Sequence, residues 1–164
     1  AWRHIRFMLF FFFLWLYFVP GMTGLIIGFI LLLLLLRGPV LFLGHSWDLH
    51  LMVFASGLSI LSYQVFTLGV FAHTYAIRQK LQKYDKLTLF FQRRFSLERG
   101  ITLGIAVFIA GFIINLFIFL EWFFSSFGQL YRIRESIFAM TLLIIGLQTI
   151  FSSFFISFLF LEKE

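Results

Sequence analysis

Residues 7–36 read FMLFFFFLWLYFVPGMTGLIIGFILLLLLL, thirty positions without one charged side chain. As a helix this stretch would be about 45 Å long, against a bilayer hydrocarbon core of about 30 Å. No water-facing domain can hide such a run. The rest of the chain follows the same pattern: 62% of its 164 residues are hydrophobic, 12% are charged and 27 are Phe. Mean hydropathy is +1.01. Soluble domains are nearer 45–50% apolar and about 25% charged. The composition therefore excludes a soluble enzyme, a nucleic-acid-binding domain and a disordered chain. It reads as an all-α integral membrane protein. With no Cys, disulfides and thiolate metal sites are excluded.

Pro20-Gly21 interrupts the first run, because proline lacks a backbone donor and disfavours helix at the residue before it. The run reads as an interfacial juxtamembrane helix over 1–14 and a spanning helix over 15–36; one tilted, kinked helix is the alternative. Three more apolar stretches predict spans over 49–77, 101–124 and 137–161. Residues 15–164 are then a four-transmembrane-helix bundle. The N-terminal run is too long for a signal peptide, and no small-residue cleavage site follows it.

The loops set the orientation. Residues 37–48 (RGPVLFLGHSWD) and 125–136 (SSFGQLYRIRES) are weakly charged, whereas 78–100 (RQKLQKYDKLTLFFQRRFSLERG) is strongly basic. Lys and Arg stay on the cytoplasmic side. Placing the N-terminus and loop 78–100 inside puts Arg3, Arg6, the loop's seven basic residues and Lys163 there, and leaves Arg37, Arg132 and Arg134 outside. Both termini are therefore expected in the cytoplasm. Trp2, Trp15, Trp47 and Trp122 fall near span ends, where an amphipathic ring suits the headgroup layer.

Small and neutral polar residues stripe each span. Gly21, Gly24 and Gly28 lie close together on the first. Ser56, Tyr63, Thr67 and Thr74 share a face of the second, and Gly104, Gly111 and Asn115 a face of the third. The fourth has two faces, Thr141/Gln148/Ser152 and Gly146/Ser153/Ser157. Such stripes let helix backbones approach closely and hydrogen-bond. A solute path is the rival reading. It is disfavoured because no acid or base lies at mid-depth and no internal repeat is evident.

Candidate chemistry is sparse. His4, His45, His50 and His73 lie near span ends without ligand spacing, so interfacial or capping roles are expected in place of metal or haem. Glu121, beside Trp122, is expected to be solvated. No nucleophile triad, phosphate loop or paired carboxylate is present, so no catalytic residue, cofactor site or metal site is assigned. The inner surface is different. Arg3, His4 and Arg6 flank a tryptophan, and Lys80, Lys83, Lys86, Arg93, Arg94 and Arg99 form a second basic cluster. The simple reading is topology plus attraction to anionic lipid, at about 1 kcal/mol per basic residue. The sharper reading is a lipid-phosphate site, since the arginine fork matches phosphate.

WRHIRFM (2–8), Pro20-Gly21, FAHTYAIRQKL (71–81), SLERG (96–100) and QTIFSSFFISFL (148–159) together resemble the C-terminal membrane region of bacterial family 2 glycosyltransferases of the dolichyl/polyprenyl-phosphate mannose/glucose synthase type. The resemblance covers nearly the whole chain, with QTIFSSFF and LERG its most specific parts. It implies a cytoplasmic GT-A catalytic domain ahead of the membrane helices, holding the nucleotide sugar and a divalent metal (Mg or Mn). It also implies sugar transfer to polyprenyl phosphate at the inner membrane face. The expected partners are membrane lipids, the polyprenyl-phosphate acceptor and that catalytic domain, with a homo-oligomer or larger complex left open and no nucleic acid. No DxD motif occurs here, so catalysis is not claimed for these residues, and the start at Ala1 fits a chain entered from such a domain. Under the resemblance, Arg3 and Arg6 are expected to hold the acceptor phosphate, with Arg93, Arg94 and Arg99 as second candidates. The rival class is a small non-catalytic subunit packed in a larger membrane complex.

Overall fold

The computed structural model describes residues 2–42, 45–78, 97–125 and 132–161. Among these, four long helices run in series: α1 (Trp2–Leu36), α2 (Leu49–Arg78), α3 (Leu97–Phe124) and α4 (Ile133–Leu161). Helix is the form lipid permits, because it pairs every backbone donor and acceptor within the segment. All four are long and apolar enough to cross a membrane, over Leu16–Leu36, Leu49–Tyr75, Glu98–Phe124 and Ile133–Leu159.

The boundaries differ from the sequence expectation in three places. The segments separated at residue 14 are one continuous helix with Pro20 inside it. Pro20 is exposed, and it leaves the Leu16 carbonyl without its amide donor. Thr23 Oγ1 donates to the carbonyls of Val19 (2.8 Å) and Pro20 (3.3 Å) in the same turn. Second, α3 and α4 each begin about one turn before the expected start, with Glu98 and Glu135 in their first turns. Acidic residues favour a helix N-terminus, so charge marks the end of the apolar span without ending the helix. Third, the 37–48 connection holds an antiparallel hairpin, β1 (Val40–Phe42) with β2 (His45–Trp47), in the register Val40↔Trp47, Leu41↔Ser46 and Phe42↔His45. Gly38, at φ 144°, turns the chain out of α1 and its amide donates to the Leu35 carbonyl at 3.2 Å.

α1 packs along α2 and α3 along α4, and α2 with α4 joins the two pairs. The α1–α2 seam is antiparallel. A Cβ at Gly21 would stand 2.7 Å from the Phe66 amide nitrogen, Gly24 faces Ser62, Gly28 faces Ser59, and Gly69 lies against Tyr17. The α3–α4 seam is also antiparallel. Gly104 meets Ile150, Gly111 meets Ala139 and Leu143, and Gly146 meets Phe108. A fully buried cluster of Leu32, Leu35, Met52 and Ala55, with Ile137 and Phe138 against it, closes one end of the bundle.

α2 and α4 run parallel and are tied by two hydroxyl pairs, Ser56 with Thr141 (2.7 Å) and Tyr63 with Thr149 (2.6 Å). Proton counting fixes their direction. Thr141 Oγ1 donates to the Ile137 carbonyl and Thr149 Oγ1 to the Ile145 carbonyl. A hydroxyl has one proton, so Ser56 and Tyr63 are the donors between helices. Of the α2 stripe, Thr67 and Thr74 bond instead to carbonyls of their own helix. Gln148 Oε1 is buried with no hydrogen-bond partner among the described residues.

Candidate lipid-facing site at one end of the bundle

Because the helices alternate in direction, the N-termini of α1 and α3 and the C-termini of α2 and α4 share one end. That end gathers the basic candidates that are described. Arg3 and Arg6 lie in the first two turns of α1. Arg99 lies in the first turn of α3, exposed, beside exposed Glu98. Arg93 and Arg94, with Lys80, Lys83, Lys86 and Lys163, lie outside the described residues. The interfacial and capping roles expected of His4 and His45 rest on side chains that also lie outside them. His50 is exposed in the first turn of α2, and His73 is half-buried near its far end.

The start of α3 is held firmly. Gly100 is buried, and a Cβ there would stand 3.0 Å from the Ser153 Cβ of α4. Ser153 Oγ donates to the Thr149 carbonyl, and Thr102 Oγ1 to the Glu98 carbonyl. A close glycine contact thus fixes the backbone that carries Arg99.

The helix registers give relative heights. Gly100 is level with Ser153. Phe155 is level with Phe71, their rings 4.7 Å apart edge to face. Gly69 is level with Tyr17. Arg99 therefore sits near the height of Tyr17, while Arg3 and Arg6 stand about 15–20 Å farther along the axis of α1. The structure gathers these arginines at one end but not at one height. α1 and α3 also have no packed seam, since α2 and α4 stand between them.

The opposite end carries a feature that the sequence pattern did not reveal. Arg134, counted above as a loop residue, lies in the first turn of α4. Its Nη1 donates to the Leu35 carbonyl at the end of α1 (2.8 Å), and its Nη2 pairs with the Asp48 carboxylate at the start of α2. One guanidinium thereby ties three helix ends and meets the negative pole of α1. Asp48 directly before Leu49 is a readable N-terminal signal, but nothing local in sequence pairs it with Arg134. Glu121 pairs with Arg132 at 2.8 Å, with both side chains more than half exposed. Such a pair contributes at most about 1 kcal/mol. Among the described residues, no three His, Asp or Glu are grouped to hold a metal ion.

Comparison with known proteins places this arrangement. Residues 70–160 match the family described as the glycosyltransferase family 2 C-terminal transmembrane region. The chain is similar to the low-salt glycan biosynthesis hexosyltransferase Agl6 of Haloferax volcanii, with 31% identity over 154 residues. That alignment covers 94% of this chain and 37% of the relative, so the chain spans little more than a third of the curated protein it matches. No solved structure matches it.

Proposed function

The chain belongs to the C-terminal transmembrane regions of family 2 glycosyltransferases, and from that premise we propose that it anchors a hexosyltransferase and presents a polyprenyl-phosphate acceptor to it. The match over 70–160 carries this reading, and the similarity to a hexosyltransferase supports it. The chemistry would be nucleotide sugar plus polyprenyl phosphate giving polyprenyl-phosphate sugar. A catalytic domain outside these residues would perform it and would hold any divalent metal. The basic end of the bundle faces the cytoplasm in this proposal, with both termini inside and the protein in the cell's inner membrane. Ten basic residues against three support that orientation.

In this reading the isoprenoid lies along the apolar helix walls while its phosphate meets arginine at the inner surface. Arg3 and Arg6 are the first candidates, and Arg93, Arg94 and Arg99 the second. Arginine presents two parallel donors to a phosphate, whereas lysine keeps only the charge. The test is steady-state kinetics of the full-length enzyme with polyprenyl phosphate and a nucleotide hexose. Arg3→Lys/Arg6→Lys should raise the apparent KM for the acceptor about tenfold, the equivalent of losing one charged hydrogen bond. The KM for the nucleotide sugar should hold. Unchanged acceptor dependence would reduce these arginines to topology and lipid anchors, and the same result with Arg93→Lys/Arg94→Lys would reduce the inner-loop pair in the same way.

A further inference from the structure

Two carboxamides lie at mid-membrane, where a polar side chain has the least access to water. The spans Leu49–Tyr75 and Ile133–Leu159 have Ser62 and Gly146 at their midpoints. Gln64 and Gln148 lie just past those midpoints, about 3 Å from the centre of their spans. The Tyr63–Thr149 hydrogen bond sets the two carboxamides at one height, since each glutamine adjoins one of its partners.

Helix packing gives their directions. On α2, Ser59, Ser62, Phe66 and Gly69 face α1, while Ser56, Tyr63 and Phe71 face α4. At about 100° per residue, Gln64 points about 100° past Tyr63 and about 160° away from Ser62. It is exposed, and its carboxamide makes no hydrogen bond among the described residues. On α4, Phe138 meets Phe29 of α1, with ring centroids 6.1 Å apart. Thr149 lies about 20° from Phe138 on the helix surface, and Gln148 about 100° from Thr149, turned away from α1. Gln148 also lies about 160° from Gly146, which faces α3. Both glutamines therefore open on the same side of the α2–α4 junction, the side remote from α1. Gln148 Oε1 is buried there without a hydrogen-bond partner. Exposed Leu61, Leu68, Leu147 and Phe151 frame this face.

Lipid alone cannot satisfy such a face. A carboxamide without a partner is costly in hydrocarbon, and glutamines in membrane helices hydrogen-bond to other helices. A carboxamide carries two donors and two acceptor lone pairs, so it is complementary to itself. Gln64 and Gln148 closed on each other would still leave most of those positions unused. An identical pair on a two-fold-related surface offers donors and acceptors to match them.

We propose that the chain pairs with a second copy of itself across this face, the Gln64 and Gln148 carboxamides of both copies hydrogen-bonding around a two-fold axis along the bilayer normal. Both copies insert the same way round, so the axis runs through the membrane and the two basic ends stand side by side. α1 and α3 stay at the periphery with their outer walls open to lipid. The pairing does not rest on the acceptor role proposed above.

Pulsed dipolar electron resonance on single nitroxides tests it. The chain has no cysteine, so Leu68→Cys and Ile109→Cys can each be labelled in full-length protein freed of any other cysteine. Leu68 lies one turn from Gln64 on the proposed face, and Ile109 lies on the wall of α3 turned from α4; both are exposed. With helix axes 8–10 Å apart, labels at 68 should stand about 20 Å from each other across the axis, and labels at 109 about 40 Å. The protein is reconstituted in phosphatidylcholine vesicles and diluted stepwise with lipid, so that the fraction showing the short distance gives an association constant. Gln64→Leu/Gln148→Leu should lower that constant at least about tenfold, the scale of one hydrogen bond between membrane helices. Gln64→Asn/Gln148→Asn keeps both carboxamides and should keep the pairing. A label at 68 with no defined distance would overturn the proposal, leaving the carboxamides to each other or to a different protein's helix. A shorter distance at 109 than at 68 would overturn it in favour of contact through α3. An unchanged constant in the leucine variant, or an equal loss in the asparagine variant, would show that carboxamide pairing does not hold the copies together and would also overturn it.

Discussion

Gly111 allows the sharpest test of how the bundle is held, because α3 packs substantially only on α4 among the described elements. A Cβ at residue 111 would stand 2.7 Å from the Ala139 carbonyl oxygen and 2.8 Å from the Leu143 amide nitrogen. Both are backbone atoms of a helix, so neither can swing aside. Ordinary contact begins near 3.4 Å, so even alanine forces the axes apart by about 0.7 Å. Overpacking of this kind costs about 1–3 kcal/mol. Gly111→Ala should lose that much, and Gly111→Leu should lose more and separate α3 from α4. Two controls separate this mechanism from a general intolerance of change. Gly57, in α2, has nothing within 4 Å of a built Cβ, so Gly57→Ala should gain about 0.5–1 kcal/mol from helix propensity. Ile113 lies off the seam, 44% exposed, and Ile113→Leu should stay within about 0.5 kcal/mol. Reversible unfolding in detergent, titrated with SDS, measures all four. Equal stability of Gly111→Leu and Ile113→Leu would refute the seam, as would a Gly57→Ala loss matching that of Gly111→Ala.

Further outcomes follow from the same geometry. A double-mutant cycle on Tyr63→Phe and Thr149→Val should give a coupling of about 0.5–1.5 kcal/mol, typical of hydrogen bonds between membrane helices, and zero coupling would remove that rung. Arg134→Met strips the Leu35 carbonyl and the Asp48 carboxylate of one shared donor, and should cost about 1–3 kcal/mol in the same unfolding assay. Arg132→Met, at an exposed pair, should cost under about 1 kcal/mol. Accessibility tags at residue 88 and at the C-terminus should report cytoplasm, and tags at 44 or 128 the outside; an outside signal from 88 would overturn the orientation. The acceptor kinetics of Arg3→Lys/Arg6→Lys provide the fifth test.

The features legible in the sequence are those that lipid enforces. In hydrocarbon, an uncharged run long enough to cross has one backbone solution, so the four spans can be read directly from where charge is missing. The seams can be read because close approach selects small side chains. Gly21, Gly24, Gly28, Gly104, Gly111 and Gly146 all fall at helix contacts. What stays hidden depends on partners distant in sequence. Thr149 falls between the two stripes read on α4, and only the arrival of Tyr63 from α2 marks it as a contact. Arg134 reads as a topology charge until α1 and α2 bring Leu35 and Asp48 beside it. The hairpin at 40–47 escapes a reading based on spans because a connection between spans is under no span constraint, although Val40, Phe42 and Trp47 around Gly44 are a recognisable strand–turn signal.

The basic candidates show the same division more strongly. Charge counting places Arg3, Arg6 and Arg99 at one end of the molecule, but sequence position cannot give height. Height comes from three seams in succession: α3 on α4 at Gly100, α4 on α2 at Phe155, and α2 on α1 at Gly69. Each seam is set by a residue chosen for packing, with no role in chemistry. The relative depth of the basic residues at this end is therefore governed by close packing contacts between the helices. A substitution at Gly100, which would push α3 off Ser153, should alter the depth of Arg99 without changing a single charge.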